Sequence, residues 1–361
     1  MTQISRRDVL RRRLVTQRLQ GAGLPSAADV VRLLSCVQSQ EYAHALWSLG
    51  MRTSGLKVMD AQAEFDRGDF IRTHILRPTW HFVAAEDIRW ILEVTAPRVQ
   101  KLNQTIYRQE RLDPATLDRG LAVIVEELEG GRYRTRAELG QALADRRLVG
   151  ERLGLAYIVM NAELEGVICS GPMRSAQQTY ALLDERVPRS ADTSTKTGDI
   201  AELARRFFLG HGPATIHDLA RWSSLTVGQC REAVEAIKDR LDSVTVEAVE
   251  LWFDPDAPQV GPSPKALLLP LYDELTLSYP MINFPQANGH PHAPGQDLFV
   301  GSVIIAETNV GTWRRTVQGQ KMIMEIALAP GVVARSRVLV EAAAADLAAF
   351  AGKELELTIG S

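Results

Sequence analysis

One order of predicted elements, three helices followed by a short strand or hairpin, recurs along the chain at intervals of roughly a hundred residues. The first copy ends in two short strands over 73–83 about a turn at Pro78, the second in a strand over 167–171, and the third in a strand over 244–253. Three helices followed by a hairpin is the pattern of a winged helix. At 361 residues the chain is too long for one small core, so the repeat predicts a body of consecutive modules.

Hydroxyl side chains mark several predicted helix starts. Ser26, Thr135 and Thr215 each precede a run with helical apolar spacing and are suited to accept from a free backbone N–H. Pro97 lies in a predicted helix over 84–98 and is expected to kink or end it. A segment rich in Pro and Gly over 254–264 leads into predicted strands over 299–305, 311–316 and 322–328 and a helix over 335–350. The predicted domains are 1–115, 116–195 and 196–255 for the three winged-helix motifs and 256–361 for a C-terminal β-rich region with a hairpin and a final helix.

Composition indicates an ordinary soluble globular protein, with 45% hydrophobic and 24% charged residues. Cys36, Cys169 and Cys230 lie far apart, which argues against a disulfide framework or a zinc site and favours a reducing cytoplasm. No run approaches the roughly 20 apolar residues of a membrane span, so no membrane partner is expected. The net charge of -3 gives no global indication of nucleic acid binding.

One short segment departs from this balance. A predicted helix over 4–20 carries an apolar stripe and a basic face, which is either solvated or turned towards phosphates. Its arginines are Arg6, Arg7, Arg11, Arg12, Arg13 and Arg18.

Two glutamines follow the second predicted helix with one residue between them. In an extended segment Gln38 and Gln40 share a face, so both amides can address one water or one ligand atom. Taken alone, the triplet with Ser39 is ordinary surface polarity, because Gln is common on protein surfaces.

Six pieces of sequence, in one order over most of the chain, identify a family resemblance. The chain resembles the AlkZ/YcaQ-type winged-helix DNA glycosylases, a bacterial alkylpurine and interstrand-crosslink repair family, and is nearer the AlkZ branch. The pieces are VQSQ at 37–40, LWSLGMR at 46–52, RTHILRPTWHFV at 72–83, GPATIHDLARWSSL at 212–225, LLLPLYDELTLSY at 267–279 and VGTWRRT at 310–316.

The resemblance implies that Gln38 and Gln40 are the catalytic pair. In the YcaQ branch the second position is an aspartate, and in the AlkZ branch the intervening residue is aliphatic, whereas here it is Ser39. The resemblance also implies three tandem winged helices in a C-shaped arrangement around double-stranded DNA. We expect a monomer without cofactor or metal.

Predicted DNA contacts come from the matching pieces. His81 is interpreted as a support or a phosphate contact near the site. Arg314 and Arg315 alternate along a strand, so only one of them can face DNA if the strand is regular. The predicted contacts are Arg52, Arg77, His81, Trp313, Arg314 and Arg315.

Two further groups have a metal-site interpretation and a simpler one. Asp273 and Glu274 resemble a metal or acid/base pair, but a loop cap is favoured because no other ligand lies near them in sequence. His290 and His292 flank Pro291, and a polar loop is favoured over a metal site.

The predicted activity is monofunctional hydrolysis of the N-glycosidic bond of N7-alkylated purines, without a Schiff-base lysine. Such a base is positively charged and leaves without protonation, so two amides that orient a water through their oxygens, with their NH2 groups on backbone partners, are sufficient. Unhooking of bulky adducts or crosslinks, and self-resistance to a DNA-alkylating natural product, are the expected setting. The alternative is a non-catalytic winged-helix DNA-binding regulator, although such repressors are typically smaller dimers that bind palindromes.

Overall fold

A computed structural model describes residues 2–149, 153–189, 199–258, 265–291 and 300–360. Within these ranges the strands form three three-stranded sheets and one five-stranded sheet, separated by helices. The strands are β1 (Thr2–Gln3), β2 (Cys36–Gln38), β3 (Phe70–His74), β4 (Trp80–Ala84), β5 (Arg134–Thr135), β6 (Ile168–Ser170), β7 (Thr179–Leu182), β8 (Asp242–Val246), β9 (Val249–Phe253), β10 (Ala266–Leu269), β11 (Gly301–Ile305), β12 (Thr308–Gln318), β13 (Lys321–Leu328) and β14 (Glu354–Gly360). The helices are α1 (Arg6–Thr16), α2 (Ala27–Leu34), α3 (Tyr42–Gly50), α4 (Val58–Arg67), α5 (Ile88–Gln109), α6 (Pro114–Leu128), α7 (Arg136–Asp145), α8 (Gly154–Leu164), α9 (Leu183–Arg186), α10 (Ile200–His211), α11 (Ile216–Ser223), α12 (Val227–Ile237), α13 (Glu274–Leu277) and α14 (Ala334–Ala351), with a 3-10 turn at Lys238–Arg240.

The first sheet has the order β2-β4-β3 and is antiparallel. The two strands predicted about Pro78 are confirmed as β3 and β4. Its central strand β4 places His81 opposite Gln38 on one side and opposite Thr73 on the other. The sheet therefore brings the first glutamine of the pair beside the turn that joins β3 and β4.

The start of the chain packs on the third sheet, which has the order β1-β8-β9. β1 runs parallel to β8, and Val9 and Leu10 of α1 are buried against Val244 and Leu251. The single strand predicted over 244–253 is wrong, because the backbone reverses at Glu247 and Ala248, both with positive φ, to form the hairpin of β8 and β9.

The five-stranded sheet has the order β10-β11-β12-β13-β14. The predicted hairpin is confirmed as β11 and β12, but it turns at Ala306 and Glu307, whose φ angles are +47° and +60°. β14, which was not predicted, runs parallel to β13. The sheet and α14 share a core with the first module, where the ring of Phe350 lies 5.3 Å from that of Trp47.

Helix α5 continues through Pro97 to Gln109, so the end predicted near Arg98 is wrong. Proline removes one helical hydrogen bond. The buried face of this helix, which includes Trp90 and Val99 on either side of Pro97, holds the helix against its neighbours. None of the helices in the described ranges combines the length and the apolar character of a membrane span.

Candidate active site

Gln38 ends β2, and Gln40 follows two residues later outside the sheet. The backbone N–H of Ser39 donates to the carbonyl oxygen of Trp80 at 2.8 Å, which extends the strand pairing by one bond. Gln38 is 8% exposed, whereas Gln40 is open to solvent. The two amides therefore differ in environment: the first is held inside the site and the second lies at its surface.

The side chain of Gln38 is oriented by Arg77. Arg77 Nη2 donates to Gln38 Oε1 at 2.6 Å and to His81 Nε2 at 3.2 Å. His81 Nδ1 in turn donates to the carbonyl oxygen of Thr79 at 2.9 Å. Burial and the adjacent Arg77 lower the pKa of His81 to about 3, so its ring is neutral and Nε2 is an acceptor. Because arginine only donates, the amide oxygen of Gln38 must be the atom that faces Arg77.

The main chain of Gln38 is held by a buried carboxylate. Its N–H donates to Glu274 Oε1 at 2.8 Å, and Glu274 Oε2 accepts from Ser278 Oγ at 2.9 Å. His211 Nε2 lies 3.6 Å from the same oxygen, an ion-pair distance rather than a hydrogen bond. Burial raises the pKa of Glu274, but His211, Arg77 and His81 together lower it to about 2. Glu274 is therefore an ionised group directly behind the glutamine.

Gln40 is fixed mainly through its backbone. Arg72 donates to the carbonyl oxygen of Ser39 at 2.7 and 3.0 Å and to that of Gln40 at 3.2 Å. The guanidinium of Arg72 also lies 4.3 Å from the ring centre of Trp80. The side chain of Gln40 has one long contact, in which the N–H of Trp80 donates to Oε1 at 3.4 Å. Its amide is thus less constrained than that of Gln38.

The orientation predicted for the amides is wrong for Gln38. The prediction has the NH2 groups bonded to the backbone and both carbonyl oxygens open. Instead each oxygen accepts from a protein donor, Arg77 or the N–H of Trp80. The difference arises because Arg77, four residues before His81, reaches across the turn between β3 and β4.

A second polar cluster lies behind Trp80 and joins this sheet to α8. Trp80 Nε1 donates to Glu163 Oε1 at 3.3 Å, and His74 Nδ1 contacts the other oxygen of Glu163. The rings of His74 and Trp80 are 4.7 Å apart. Arg72 and Glu163 are the residues of this region that sequence reasoning missed. From the sequence, Glu274 is interpreted beside Asp273 as a metal or acid/base candidate with a loop cap favoured, but its bond to Gln38 is not predicted. Arg72 and Glu274 both lie in the sequence pieces that match the family, and this match was the signal that could have placed them at the site.

Two predicted DNA contacts are corrected by their burial. Arg52 has no exposed surface, and its Nη2 and Nη1 donate to the two oxygens of Asp273 at 2.8 and 2.9 Å. Trp313 is 1% exposed and donates from Nε1 to the carbonyl oxygen of Leu269 at 2.9 Å. Both side chains are buried and hydrogen-bonded inside the protein, where DNA cannot reach them.

The neighbouring arginines of β12 lie at the surface. Arg314 is exposed and its Nε donates to Glu325 at 2.7 Å on the adjacent strand. Arg315 is partly buried and donates to the carbonyl oxygen of Ala43 at 3.2 Å. Burial, and then Arg315, lower the pKa of His44 to about 4. This strand thus runs beside α3, close to the segment that carries Gln40.

Three arginines of the basic face predicted on the first helix are paired with glutamates. Arg7 and Arg11 both pair with Glu307, at 2.8 and 3.1 Å, and Arg6 pairs with Glu247 at 3.1 Å. Arg13 is buried, with its guanidinium 3.6 Å from the ring centre of Tyr279. This helix therefore joins parts of the protein through its arginines.

The interpretation of Asp273 as a cap is confirmed, since Asp273 caps α13 by accepting from the N–H of Leu275 at 2.9 Å. His290 contacts Asn309 at 3.1 Å, and His292 lies outside the described residues. No group of three His, Cys, Asp or Glu side chains suited to a metal ion is found in the ranges that the structure covers.

Comparison with known proteins decides the family. The model of the AlkZ-like DNA glycosylases matches residues 31–350. The chain belongs to the AlkZ-like DNA glycosylase family. This AlkZ-like chain is therefore an enzyme, a hydrolase that acts on N-glycosyl bonds in DNA, and not a non-catalytic regulator.

A relative and a solved structure agree with this assignment. The chain is 28% identical over 253 residues to an "Interstrand DNA cross-link repair glycosylase" from Streptomyces sahachiroi, covering 67% of each sequence. The structure of Streptomyces sahachiroi DNA glycosylase AlkZ matches with a TM-score of 0.79 and 23% identity, over 99% of this chain and 100% of that one. The described residues of the AlkZ-like chain thus share the mixed α and β fold of that protein.

Proposed function

We propose that this chain hydrolyses the N-glycosidic bond of N7-alkylated purines in double-stranded DNA, with Gln38 and Gln40 at the reacting centre. The observation that carries the proposal is the arrangement of the pair. Gln38 is held on both its backbone and its side chain, and Gln40 is exposed beside it. A fixed amide next to an accessible one is what a site needs to orient a substrate and a water together.

The charge of the substrate explains why neutral amides are sufficient. An N7-alkylated purine is cationic and takes the electron pair of the C1′–N9 bond without being protonated. The enzyme then has to orient one water and stabilise a cation-like sugar by a few kcal/mol of dipolar interaction. Gln40, with its weakly held amide, is the residue proposed to contact the water. Arg72, Arg77, Trp80 and Glu274 bond the pair in the described structure. The proposed reaction is monofunctional hydrolysis without a Schiff-base lysine.

The three small sheets support the proposed modular division. Each contains three strands and follows or precedes short helices, as in a winged helix, and we propose three such motifs in a C-shaped arrangement around duplex DNA. The proposed domains remain 1–115, 116–195, 196–255 and 256–361, with β1 and α1 packed on the third sheet. A monomer that surrounds one lesion fits this division.

Among the predicted contacts, Arg77, Arg314 and Arg315 retain surface from which to meet DNA, and His81 acts as a support through Arg77. Because the curated relative is named as an interstrand cross-link repair glycosylase, we extend the proposal to unhooking of bulky or crosslinking adducts. Self-resistance to a DNA-alkylating natural product is the proposed setting. Ser39 places a hydroxyl between the amides, and its Oγ is buried without a hydrogen bond in the described structure.

A single-turnover assay on a duplex containing N7-methylguanine tests the activity. We expect the wild type to release the base and Gln40→Ala to lower the rate about 100-fold or more, as removal of an oriented catalytic dipole does. Gln62→Ala, which alters an amide on α4, is the matched control and should keep the wild-type rate. Unchanged excision by Gln40→Ala would refute the role of the pair, and no release by the wild type would refute the substrate.

A further inference from the structure

The Gln38 carboxamide is locked in one of its two orientations. Arg77 can only donate, and its bond of 2.6 Å to Oε1 excludes the flipped amide, in which two N–H groups would face a guanidinium. Arg77 is itself fixed by the neutral ring of His81, whose other nitrogen is used by Thr79. The NH2 group of Gln38 is therefore turned away from Arg77, where no acceptor among the described residues bonds it.

We infer that Gln38 acts as a hydrogen-bond donor to the departing purine, an inference that rests on the proposed function. Arg77 is the positioning residue for this donor, and Gln40 alone orients the water. The two glutamines thus have different roles.

The charges of the reaction decide where a donor is useful. As the C1′–N9 bond breaks, its electron pair goes to the purine and the sugar becomes cation-like. The oxygen of water then bonds C1′ and its proton passes to solvent. An N–H group beside the sugar would oppose the developing positive charge, whereas beside the base it stabilises the electron pair that accumulates there. The orientation imposed by Arg77 therefore favours the base side.

The pattern of bonds also separates the two amides. The backbone N–H of Gln38 is bound by Glu274, so neither its main chain nor its side chain is free to turn. The side chain of Gln40 is exposed and, among the described residues, has only the contact of 3.4 Å from Trp80, so its amide can adjust to a water. A rigid donor and an adjustable partner are consistent with a base held in place and a nucleophile that arrives from solvent.

Gln38→Glu gives the sharpest test, because the carboxylate keeps the acceptor for Arg77 and removes the N–H donor. We expect its single-turnover rate on N7-methylguanine duplex, at saturating enzyme, to fall about 100-fold and to equal that of Gln38→Ala within about threefold. The melting temperature should not decrease, since the introduced carboxylate would pair with Arg77. A rate above about a tenth of wild type would overturn the donor role, because an acceptor would then be sufficient.

A double-mutant cycle tests the positioning role of Arg77. Arg77→Leu alone should lower the rate about tenfold by freeing the amide. In the Gln38→Ala background the same change should have no further effect, since there is no amide left to orient. Arg221→Leu, which removes an exposed arginine near Arg77, is the control and should leave the rate at saturating enzyme unchanged.

The outcomes separate this inference from the proposed function. A further decrease in the double variant would show that Arg77 acts independently of Gln38 and would overturn its positioning role. If Arg77→Leu does not fold, the comparison of Gln38→Glu with Gln38→Ala still decides the donor role. Should the wild type not release N7-methylguanine, the proposed substrate fails. A different set of results would refute only the inference. In that case the wild type releases the base and Gln40→Ala does not, which supports the proposed function, but Gln38→Glu remains active, which excludes the donor role of Gln38.

Discussion

Arg52 and Arg314 are both predicted to contact DNA, yet their surroundings are opposite. Arg52 and Asp273 form a bidentate ion pair with no exposed surface on either side chain. Arg52→Met would leave the Asp273 carboxylate buried and uncompensated. We expect the free energy of unfolding to decrease by about 3–5 kcal/mol, measured by urea denaturation. A loss below about 1 kcal/mol would contradict the structural role of this pair.

Arg314 provides the contrasting case. Its pair with Glu325 is exposed on both sides, so Arg314→Met should change the free energy of unfolding by less than about 1 kcal/mol. If Arg314 contacts a phosphate, the variant should bind duplex DNA more weakly, and the slope of log affinity against log salt should decrease by about one. Fluorescence anisotropy at several salt concentrations measures this slope. An unchanged slope would remove Arg314 from the DNA contacts.

At the residue scale, sequence reasoning succeeded where the signal was local. The caps Ser26, Thr135 and Thr215 are confirmed, because a hydroxyl that bonds an N–H three residues later depends only on neighbouring residues. It failed for Arg52, because Asp273 is 221 positions away in sequence. Periodicity does not specify which charged residues meet inside a fold.

At the scale of elements, the pairing of β11 and β12 depends on one glycine. Gly301 lies opposite Trp313, and a Cβ at this position would come within 2.2 Å of Trp313 Nε1 and 2.5 Å of the Leu269 carbonyl oxygen. Gly301→Ala would therefore displace the indole that bonds Leu269. We expect a decrease in the free energy of unfolding of about 1–3 kcal/mol, as in other overpacked cores.

Gly228→Ala is the matched control for this prediction. Gly228 lies in the first turn of α12, and the nearest atom to an added Cβ is 4.0 Å away. This variant should be neutral or slightly more stable, since Ala favours the helix. Chemical denaturation measures the change in the free energy of unfolding for both variants. Equal effects of the two substitutions would contradict the steric role of Gly301.

Among the elements that were not predicted, α3 and β14 show two different causes. α3 has the N-cap Glu41, which makes no side-chain cap bond, so the usual start signal is missing. β14 shows an alternation of polar and apolar residues over 354–359 that is typical of a strand, and this signal was available. Its parallel pairing with β13 could not be derived from alternation, because a crossover through α14 sets the strand direction.

For the whole molecule, two histidines make stability depend on pH. Burial is the main cause that lowers the pKa of His81 to about 3 and of His44 to about 4, below the ordinary value of 6.5. At a pH between the lowered pKa of each histidine and 6.5, the unfolded chain binds a proton that the folded protein does not, so the free energy of unfolding rises with pH. The lowered pKa of Glu274 affects stability at lower pH. The ionised carboxylate contributes its full stabilisation above pH 4.5, the ordinary pKa of a glutamate, and this contribution is lost as the pH falls below that value.

We therefore expect the free energy of unfolding to decrease from pH 7 to pH 5 by up to about 2 kcal/mol for each of the two histidines. His44→Asn should remove one of these contributions, because the Asn oxygen can accept from the N–H of Leu271 in place of Nδ1 but does not titrate. Urea denaturation at pH 7, 6 and 5 measures the difference. The same pH dependence in the variant and the wild type would contradict the assignment to His44.

The bond between Gln38 and Glu274 has a consequence for synthesis of the chain. The carboxylate that holds the first catalytic glutamine lies 236 positions further along the sequence. A ribosome makes Gln38 long before α13, which supplies Glu274. A nascent chain that ends before α13 therefore cannot complete the site, because it carries both glutamines without the carboxylate that bonds the main chain of Gln38. Excision activity therefore requires translation to have passed α13.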